Sequence, residues 1–212
     1  MKRTVFSAVI ITASILLLAS CNSTRLTSAW KAPEAGTAHF NKILVIGITG
    51  NKERELRTAI ENALVKQLSS QGVTAASSME QFGPKSFRSL NEEQAVKMVN
   101  DNGFDGVIVV ALLDKKKDRN YTPGYVTSTP YTVIRNRWHG NYSVLYDRVY
   151  TPGYYSTTTD YTLEASFYKT RGDKLLYSAE AKSFDPNSPK DLAGDFSKKL
   201  VKDMMQKDVI RK

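Results

Sequence analysis

Cysteine and histidine are scarce in the chain. Its 212 residues include one cysteine and two histidines, His39 and His139. A disulfide needs two thiols, and a typical zinc site needs several Cys or His ligands, so both are excluded. The chain also has no Gly-x-Ser-x-Gly sequence and no phosphate-binding loop, which removes two common catalytic motifs. We expect no catalytic residue, no metal site and no non-covalent cofactor.

Long hydrophobic segments are also scarce, and the one at the N-terminus is short. Residues 5–18 are mostly apolar, which is fewer than the ~20 residues that span a bilayer as a helix. Lys2 and Arg3 precede this segment, and the small residues Ala19 and Ser20 follow it. This order is typical of a secretory signal peptide. We therefore predict that residues 1–20 are a signal peptide.

The only cysteine stands directly after this segment, in Leu18-Ala19-Ser20-Cys21. The sequence Leu-Ala-Ser-Cys resembles the lipobox of bacterial lipoproteins. The resemblance implies cleavage before Cys21, a diacylglyceryl group on its thiol and, usually, acylation such as palmitate on the new N-terminus. Several acyl chains give stable membrane anchoring. Asn22, rather than aspartate, and the lack of an acidic cluster after Cys21 resemble outer-membrane lipoproteins that face the periplasm.

The charge of the chain is strongly positive. The net charge is +9 with a pI near 9.5, and removal of Lys2 and Arg3 with the signal peptide lowers it to +7. A basic chain often binds nucleic acid, but export argues against that partner. Anionic lipids, lipopolysaccharide and acidic glycans are the polyanions of an envelope that such a charge could attract. A basic surface that serves only solubility is the alternative.

The remainder of the chain is predicted to be one α/β domain behind a polar linker. Residues 21–38 are rich in polar residues and are predicted to form a lipidated tether, with Trp30 docking on the domain at 39–212. Apolar runs rich in β-branched residues predict buried strands, and apolar residues at helical spacing predict helices. We predict strands at 41–48, 73–76 and 106–113, helices at 52–70, 91–102 and 191–207, and a hairpin from 162–168 and 175–183.

The helices are the clearest of these elements. Leu56, Ile60, Leu64 and Leu68 recur every four residues, as on the apolar face of a helix. Asn51 is predicted to cap that helix and Gly72 to end it. In the last helix the predicted inward residues are Leu192, Phe196, Leu200, Val201 and Met204.

Strand, helix, strand, helix, strand predicts right-handed crossovers and parallel pairing. We predict an α/β fold, a two- or three-layer sandwich whose sheet is mixed but mainly parallel. The order is β-α-β-α-β, then an antiparallel hairpin and a C-terminal helix, with a tyrosine-rich β-hairpin inserted at 115–161.

This element order, with several stretches of sequence, resembles an uncharacterised family of small α/β lipoproteins of the Gram-negative, Bacteroidota-type envelope. The matching stretches are the polar segment after Cys21, Lys42–Ile48, Leu68–Val73 and Gly103–Val109. The architecture is also similar to lipoprotein activators of cell-wall synthases and to curli-secretion lipoproteins. The resemblance implies a fold and an envelope location, and it supplies no catalytic residues.

The insertion differs from the rest in composition. Nine of the eleven tyrosines lie within 115–161, and Tyr-Thr-Pro-Gly-Tyr occurs twice, at 121–125 and 150–154. Pro-Gly is a turn signal, of type II where the glycine takes a positive φ. Residues 131–138 and 142–150 are predicted to be two strands joined at His139-Gly140-Asn141. The insertion is therefore predicted to be a β-hairpin arm flanked by two similar turns.

Two interpretations of these aromatic residues remain open. Aromatic and β-branched residues favour strands, so the tyrosines could serve the hairpin alone. Tyrosine also gives large contact area at low entropic cost, and basic residues of the insertion would add affinity for an acidic glycan or a protein. The candidate binding residues are Tyr121, Tyr125, Arg135, Arg137, Trp138, Tyr142, Tyr146, Tyr150 and Tyr154.

We therefore predict a membrane-anchored periplasmic lipoprotein that acts as a non-catalytic binding or scaffolding module of the cell envelope. The alternative is an envelope hydrolase or glycan-processing enzyme with an unrecognised carboxylate site. Asp105 and Asp114 flank one predicted strand, and at ~3.3 Å per residue they lie too far apart to act on one bond.

Overall fold

A computed structural model of the chain describes residues 23–35, 39–84, 87, 90–135, 142–172 and 174–211. The predicted signal peptide, Cys21, Arg137, Trp138 and the predicted turn at 139–141 lie outside these residues. Among the described residues, no helix is both long and apolar enough to cross a membrane.

The described residues form eight strands and four helices. The strands are β1 (Thr24–Lys31), β2 (Ile43–Ile48), β3 (Ala75–Ser77), β4 (Gly106–Thr122), β5 (Tyr125–Arg135), β6 (Tyr142–Thr151), β7 (Tyr154–Lys169) and β8 (Lys174–Phe184). The helices are α1 (Arg54–Ser70), α2 (Ser78–Phe82), α3 (Glu92–Asp101) and α4 (Pro189–Gln206).

Six of the strands form one mixed sheet in the order β1-β8-β7-β4-β2-β3, and β5 and β6 pair separately. β2 runs parallel to both β3 and β4, whereas β1 runs antiparallel to β8. The predicted α/β fold with a mixed sheet and a C-terminal helix is confirmed. Parallel pairing joins β3, β2 and β4, the strands that follow one another through helices.

The main core lies between the sheet and the helices α1 and α4. The predicted apolar residues of both helices are buried, among them Ile60 and Phe196, each at 0% exposure. They pack with β-strand residues such as Val45 and Phe167 in one cluster. The opposite face of the sheet carries a smaller cluster. Its buried members are Leu44, Val99 and Phe104.

The N-terminal segment corrects the prediction of a tether. Thr24–Lys31 is an edge strand, with Thr24 paired to Ser183 and Lys31 paired to Tyr177. Trp30 does not dock, since 51% of it is exposed. An edge strand buries only one face, and here Leu26 and Ala29 pack on the core. Most of its other residues are polar, so the composition looks like that of a linker.

The helix ends agree with the sequence in part. Gly72 follows α1 with a φ of 81°, so this prediction is confirmed. Asn91 and Gln94 form a capping box at the start of α3. Asn51 does not cap α1. The N-cap is Glu53, which makes no side-chain capping bond.

The contacts group the chain into two compact units. We call residues up to Lys115 and from 161 onward the core unit, and residues 116–160 the ribbon unit. In the ribbon unit, β5 and β6 pair antiparallel from Tyr125 opposite Thr151 to Arg135 opposite Tyr142.

Candidate binding surface

The two copies of Tyr-Thr-Pro-Gly-Tyr lie side by side in the ribbon unit. β4 ends at Thr122 and β6 ends at Thr151, and each Pro-Gly pair separates two strands. Tyr125 lies opposite Thr151, and the ring of Tyr121 contacts that of Tyr155. The Pro-Gly pairs therefore interrupt two neighbouring strands at the same level, where the sequence predicted two separate turns.

Close packing requires glycine at positions 124 and 153 of the two copies. Neither Gly124 nor Gly153 has a positive φ, so the condition for a type II turn is not met at either Pro-Gly pair. A Cβ on Gly124 would lie 2.6 Å from the Thr151 carbonyl oxygen, and one on Gly153 would lie 2.8 Å from the Tyr121 ring carbon Cζ. Two backbones and one aromatic ring thus approach too closely for a side chain at either position.

Tyr121 takes part in a stack of three side chains. Its ring centroid lies 4.8 Å from that of Tyr155, with the planes tilted by 43°. The Arg119 guanidinium carbon lies 4.0 Å from the Tyr155 ring centroid, within cation–π distance. The Tyr121 ring also lies against the backbone at Gly153. These contacts hold the rings in place, so little conformational entropy remains to be lost on binding.

The aromatic side chains around the Pro-Gly pairs are in water. Their exposed fractions lie between 56% and 68%. Consecutive strand residues point to alternate faces, and Tyr125 lies opposite Thr151 while Tyr150 lies opposite Val126, so the exposed side chains lie on both faces of the ribbon. We call this set the tyrosine patch: Tyr121, Tyr125, Tyr150, Tyr154 and Tyr155, with Val126 and Val149 beside them.

The sequence identified part of this surface. Tyr121, Tyr125, Tyr150 and Tyr154 belong to the tyrosine patch. Arg135, Tyr142 and Tyr146 lie on the paired strands β5 and β6, while Arg137 and Trp138 lie outside the described residues. Arg119 and Tyr155 were missed as site residues. Their signal in the sequence was weak, because both lie outside the repeated Tyr-Thr-Pro-Gly-Tyr. Tyr155 directly follows the second copy, and Arg119 comes two residues before the first.

Among the described residues of the core unit, Glu61 is the one fully buried carboxylate, and it was also missed. It accepts hydrogen bonds from the hydroxyls of Ser77 (2.7 Å) and Ser78 (2.9 Å) and from the backbone N–H of Gly47 and Met79, both at 2.9 Å. The Arg57 Nε–H donates at 3.0 Å. The sequence signal was a glutamate three residues before Leu64, on the apolar side of α1.

These bonds give Glu61 a structural role. A buried charge is tolerated when it is paired and its oxygens are satisfied, and here both oxygens accept at least two bonds. A Cβ on Gly47 would lie 2.8 Å from Arg57 Cγ, so this glycine gives the cluster its space. Glu61 thereby joins β2, α1 and the start of α2.

Two further titratable groups of the core unit, Lys115 and Tyr177, have raised pKa values. The Lys115 ammonium donates to Glu53 at 2.6 Å. This bond raises the lysine pKa, against the lowering effect of burial. Burial, with a hydrogen bond to Asp203 at 2.7 Å, raises the pKa of the Tyr177 hydroxyl above its usual range. Both groups face structural partners on neighbouring elements.

Two of the grooves on the core unit offer little chemistry. A groove of about 260 Å³ is lined mainly by apolar residues such as Ile46, Val99 and Val107. A larger groove of about 670 Å³ lies on the helices, with Glu55, Lys66 and Lys190 along it. Within the described residues, neither groove contains a hydrogen-bonded acid–base pair, and no cluster of metal-ligating side chains occurs.

No protein-family model and no curated protein sequence matches the chain. The chain is similar to the PelC dodecamer from Paraburkholderia phytofirmans, at 8% identity and a TM-score of 0.47, covering 89% of this chain and 99% of that one. It is similar to lipoprotein GNA1162 from Neisseria meningitidis, at 14% identity and a TM-score of 0.44, covering 78% and 98%. A PDZ domain protein from Parabacteroides distasonis gives 11% identity and a TM-score of 0.36, covering 88% and 37%. Every one of these TM-scores is below 0.5, so the likenesses do not decide the function.

Proposed function

We propose that the mature protein begins at a lipid-modified Cys21 and is anchored in the outer membrane, facing the periplasm. The support is the sequence Leu18-Ala19-Ser20-Cys21 at the end of a signal peptide. The intact mass and detergent partitioning of the wild type and of Cys21→Ala test this. We expect the wild type to carry the added lipid mass and to enter the detergent phase. A hydrophilic wild type of full-length mass would contradict the proposal.

We further propose that the protein is a non-catalytic binding module whose contact surface is the tyrosine patch. The observation that carries this proposal is the exposure of its five tyrosines, each more than half in water. Tyrosines that served only to stabilise strands would bury their rings, since the benefit of an aromatic residue in a sheet comes from packing. The rings instead present hydroxyls and apolar faces to solvent.

The basic residues of the ribbon unit define the class of partner. The unit carries six Lys and Arg residues against three Asp, and Arg119 stacks directly on the patch. Aromatic faces beside guanidinium groups suit a partner that carries negative charge and apolar area, such as an acidic glycan or an acidic protein surface.

A pair of matched variants tests the patch. The double variant Tyr121→Ser/Tyr155→Ser removes the stacked rings, whereas Trp30→Ser removes an aromatic side chain that is similarly exposed in the core unit. Crosslinked complexes are then purified from native membranes through each lipidated variant. We expect the tyrosine variant to lose a partner that the wild type and Trp30→Ser retain. Equal capture by all three proteins would contradict the proposal.

Deletion of the ribbon gives a second test. Residues 118–157 are replaced by a short Gly/Ser linker. The free-energy cost of closing a loop rises by only about 0.6 kcal/mol for each doubling of its length. The core cluster is also built from core-unit residues. We expect the core unit to fold and partner capture to be lost. A folded deletion variant that still captured the partner would show that the tyrosines act only as strand formers.

A further inference from the structure

The start of β1 is tied to the sheet immediately after the predicted lipid site. The Thr24 hydroxyl donates to the buried Ser183 hydroxyl at 2.9 Å, and the Phe184 N–H donates to the Ser23 carbonyl at 3.1 Å. The Lys199 ammonium donates to the Thr24 carbonyl. Because a residue spans at most ~3.6 Å, the Cα of Cys21 lies within ~7 Å of that of Ser23. A lipid on Cys21 therefore has almost no linker.

The short connection between Cys21 and Ser23 places the anchor near the Thr24 end of β1. Thr24 pairs with Ser183, and Ser183 and Tyr161 are separated from the connection at 170–173 by about the same number of residues. The Lys115 ammonium lies 5.2 Å from the Tyr161 ring centroid. Thr24 and Ser183 therefore lie at the same end of the antiparallel pair β1 and β8, whereas β4 and β7 continue past Lys115 and Tyr161 into the ribbon unit. We call the end of β1 and β8 at Thr24 and Ser183 the anchor edge.

The anchor edge has an unusual arrangement of cations. Arg25 and Lys182 lie directly opposite each other on β1 and β8, and both are exposed. Like charges in opposite positions of an antiparallel pair destabilise the sheet. Phe184 lies beside them, 43% exposed, with the Arg25 guanidinium carbon 5.1 Å from its ring centroid. Glu180 on β8 already accepts a bond from Thr27, and Asp185 follows Phe184.

An anion placed over this pair would relieve its repulsion, and an apolar layer would cover Phe184. A phospholipid bilayer supplies both, the anion in its headgroup phosphates and the apolar layer in its acyl chains, and the surface of an anionic bilayer attracts Lys and Arg. We propose that the anchor edge rests on the headgroups of the membrane that holds Cys21, with Arg25 and Lys182 at lipid phosphates. The inference depends on the proposed lipidation. If it is correct, the membrane holds the domain in a defined orientation, and the domain does not move freely on a tether.

Spin labels on introduced cysteines measure this orientation. The thiol of Cys21 does not compete for the label, because the lipid alkylates it. Asn187→Cys places a label just after Phe184, at the anchor edge. Asn100→Cys places one in the last turn of α3, which precedes β4 and lies at the opposite end. Both residues are exposed. The lipidated proteins are placed in vesicles of phosphatidylethanolamine and phosphatidylglycerol, and collisions with a water-soluble nickel chelate are measured.

We expect collisions to be several-fold fewer at Asn187→Cys than at Asn100→Cys. Equal collisions in a protein whose Cys21 peptide carries the lipid mass would overturn this inference alone. An unmodified Cys21 peptide would overturn the proposed lipidation and this inference with it.

Two variants separate the anchor from the cations. A flexible insertion of about 12 Gly/Ser residues between Asn22 and Ser23 adds a reach of roughly 20 Å, and we expect it to raise collisions at Asn187→Cys. Unchanged collisions would overturn the role of the short connection. Arg25→Gln/Lys182→Gln should also raise them, and an effect no larger than that of Lys174→Gln, an exposed lysine at the far end of β8, would overturn the phosphate contact.

Discussion

The core unit and the ribbon unit both contain strands but use their polar and aromatic residues in opposite ways. The core unit buries Glu61 completely and surrounds it with donors. The ribbon unit stacks Tyr121 on Tyr155 and leaves both more than half exposed. A buried polar cluster contributes to a unique fold, whereas ordered rings in water are available to a partner. The comparison indicates that stability is concentrated in one unit and recognition in the other.

The largest expected effect on stability is that of Glu61→Ala. The change leaves the Ser77 and Ser78 hydroxyls, two backbone N–H groups and Arg57 without their acceptor, and breaking a buried ion pair typically costs about 3–5 kcal/mol. Urea unfolding measures it. Glu55→Ala, an exposed glutamate in the first turn of the same helix, should cost less than about 1 kcal/mol. Equal losses would show that the buried cluster adds nothing to stability.

A smaller and pH-dependent effect is expected for Tyr177→Phe. Near neutral pH the variant loses a hydrogen bond to a carboxylate, worth about 1.5–3 kcal/mol. Because the pKa of Tyr177 is raised in the folded state, the folded protein holds this proton when the unfolded chain has lost it. The contribution is therefore complete below the ordinary tyrosine pKa of about 10 and declines as the pH rises above it.

The unfolding free energy of the wild type should thus fall more steeply than that of Tyr177→Phe at alkaline pH. Lys115, whose pKa is also raised, is present in both proteins and adds the same slope to each. Parallel urea titrations between neutral pH and the alkaline range provide the measurement, and identical slopes would count against the burial of this hydroxyl.

Gly153→Ala should disturb the ribbon unit by about 1–3 kcal/mol, the usual range for overpacking. The new methyl group would lie 2.8 Å from the Tyr121 ring carbon Cζ and 2.9 Å from the Gly124 nitrogen. Amide hydrogen exchange at 142–151 should become faster while that of α1 stays unchanged. Gly50→Ala has no atom within 4 Å of the new carbon and is the control. Exchange that is equally slow in both variants would contradict the close packing.

The variants of the tyrosine patch are expected to have the smallest effect on stability and the largest effect on binding. Tyr121→Ser and Tyr155→Ser remove exposed side chains, and an aromatic pair is worth about 0.5–1.5 kcal/mol beyond its burial. The urea midpoint of the core unit should therefore remain within error of the wild type. A loss comparable to that of Glu61→Ala would show that the rings belong to the stabilising core, and would break the comparison between the two units.

Local patterns were sufficient to predict much of the core unit. Ile60 and Leu64 repeat at helical spacing, and Ile43–Ile48 and the first half of β4 are continuous apolar runs, so burial follows from the pattern alone. The prediction was wrong where burial depends on a distant partner. Thr24–Lys31 is polar on one face and needs β8 to become a strand, and Glu61 needs donors from β2 and α2.

For the candidate surface, composition located the region, while pairing determined the arrangement. The repeated Tyr-Thr-Pro-Gly-Tyr identified tyrosines of interest without showing that the copies adjoin. Only strand register places Tyr125 opposite Thr151 and brings Arg119 onto Tyr155. The sequence marked the glycines only as turn residues, whereas their role is the close approach of two backbones, which no single segment reveals.

The sequence by itself determined the helices, the buried strands, the expected lipid site at Cys21 and the concentration of tyrosine in one insertion, because each depends on neighbours along the chain. The tertiary structure alone decided that residues after Cys21 form an edge strand, that Glu61 is buried among donors, and that the two tyrosine repeats lie side by side. These features depend on hydrogen bonds and contacts between residues far apart in sequence, and no local periodicity encodes them.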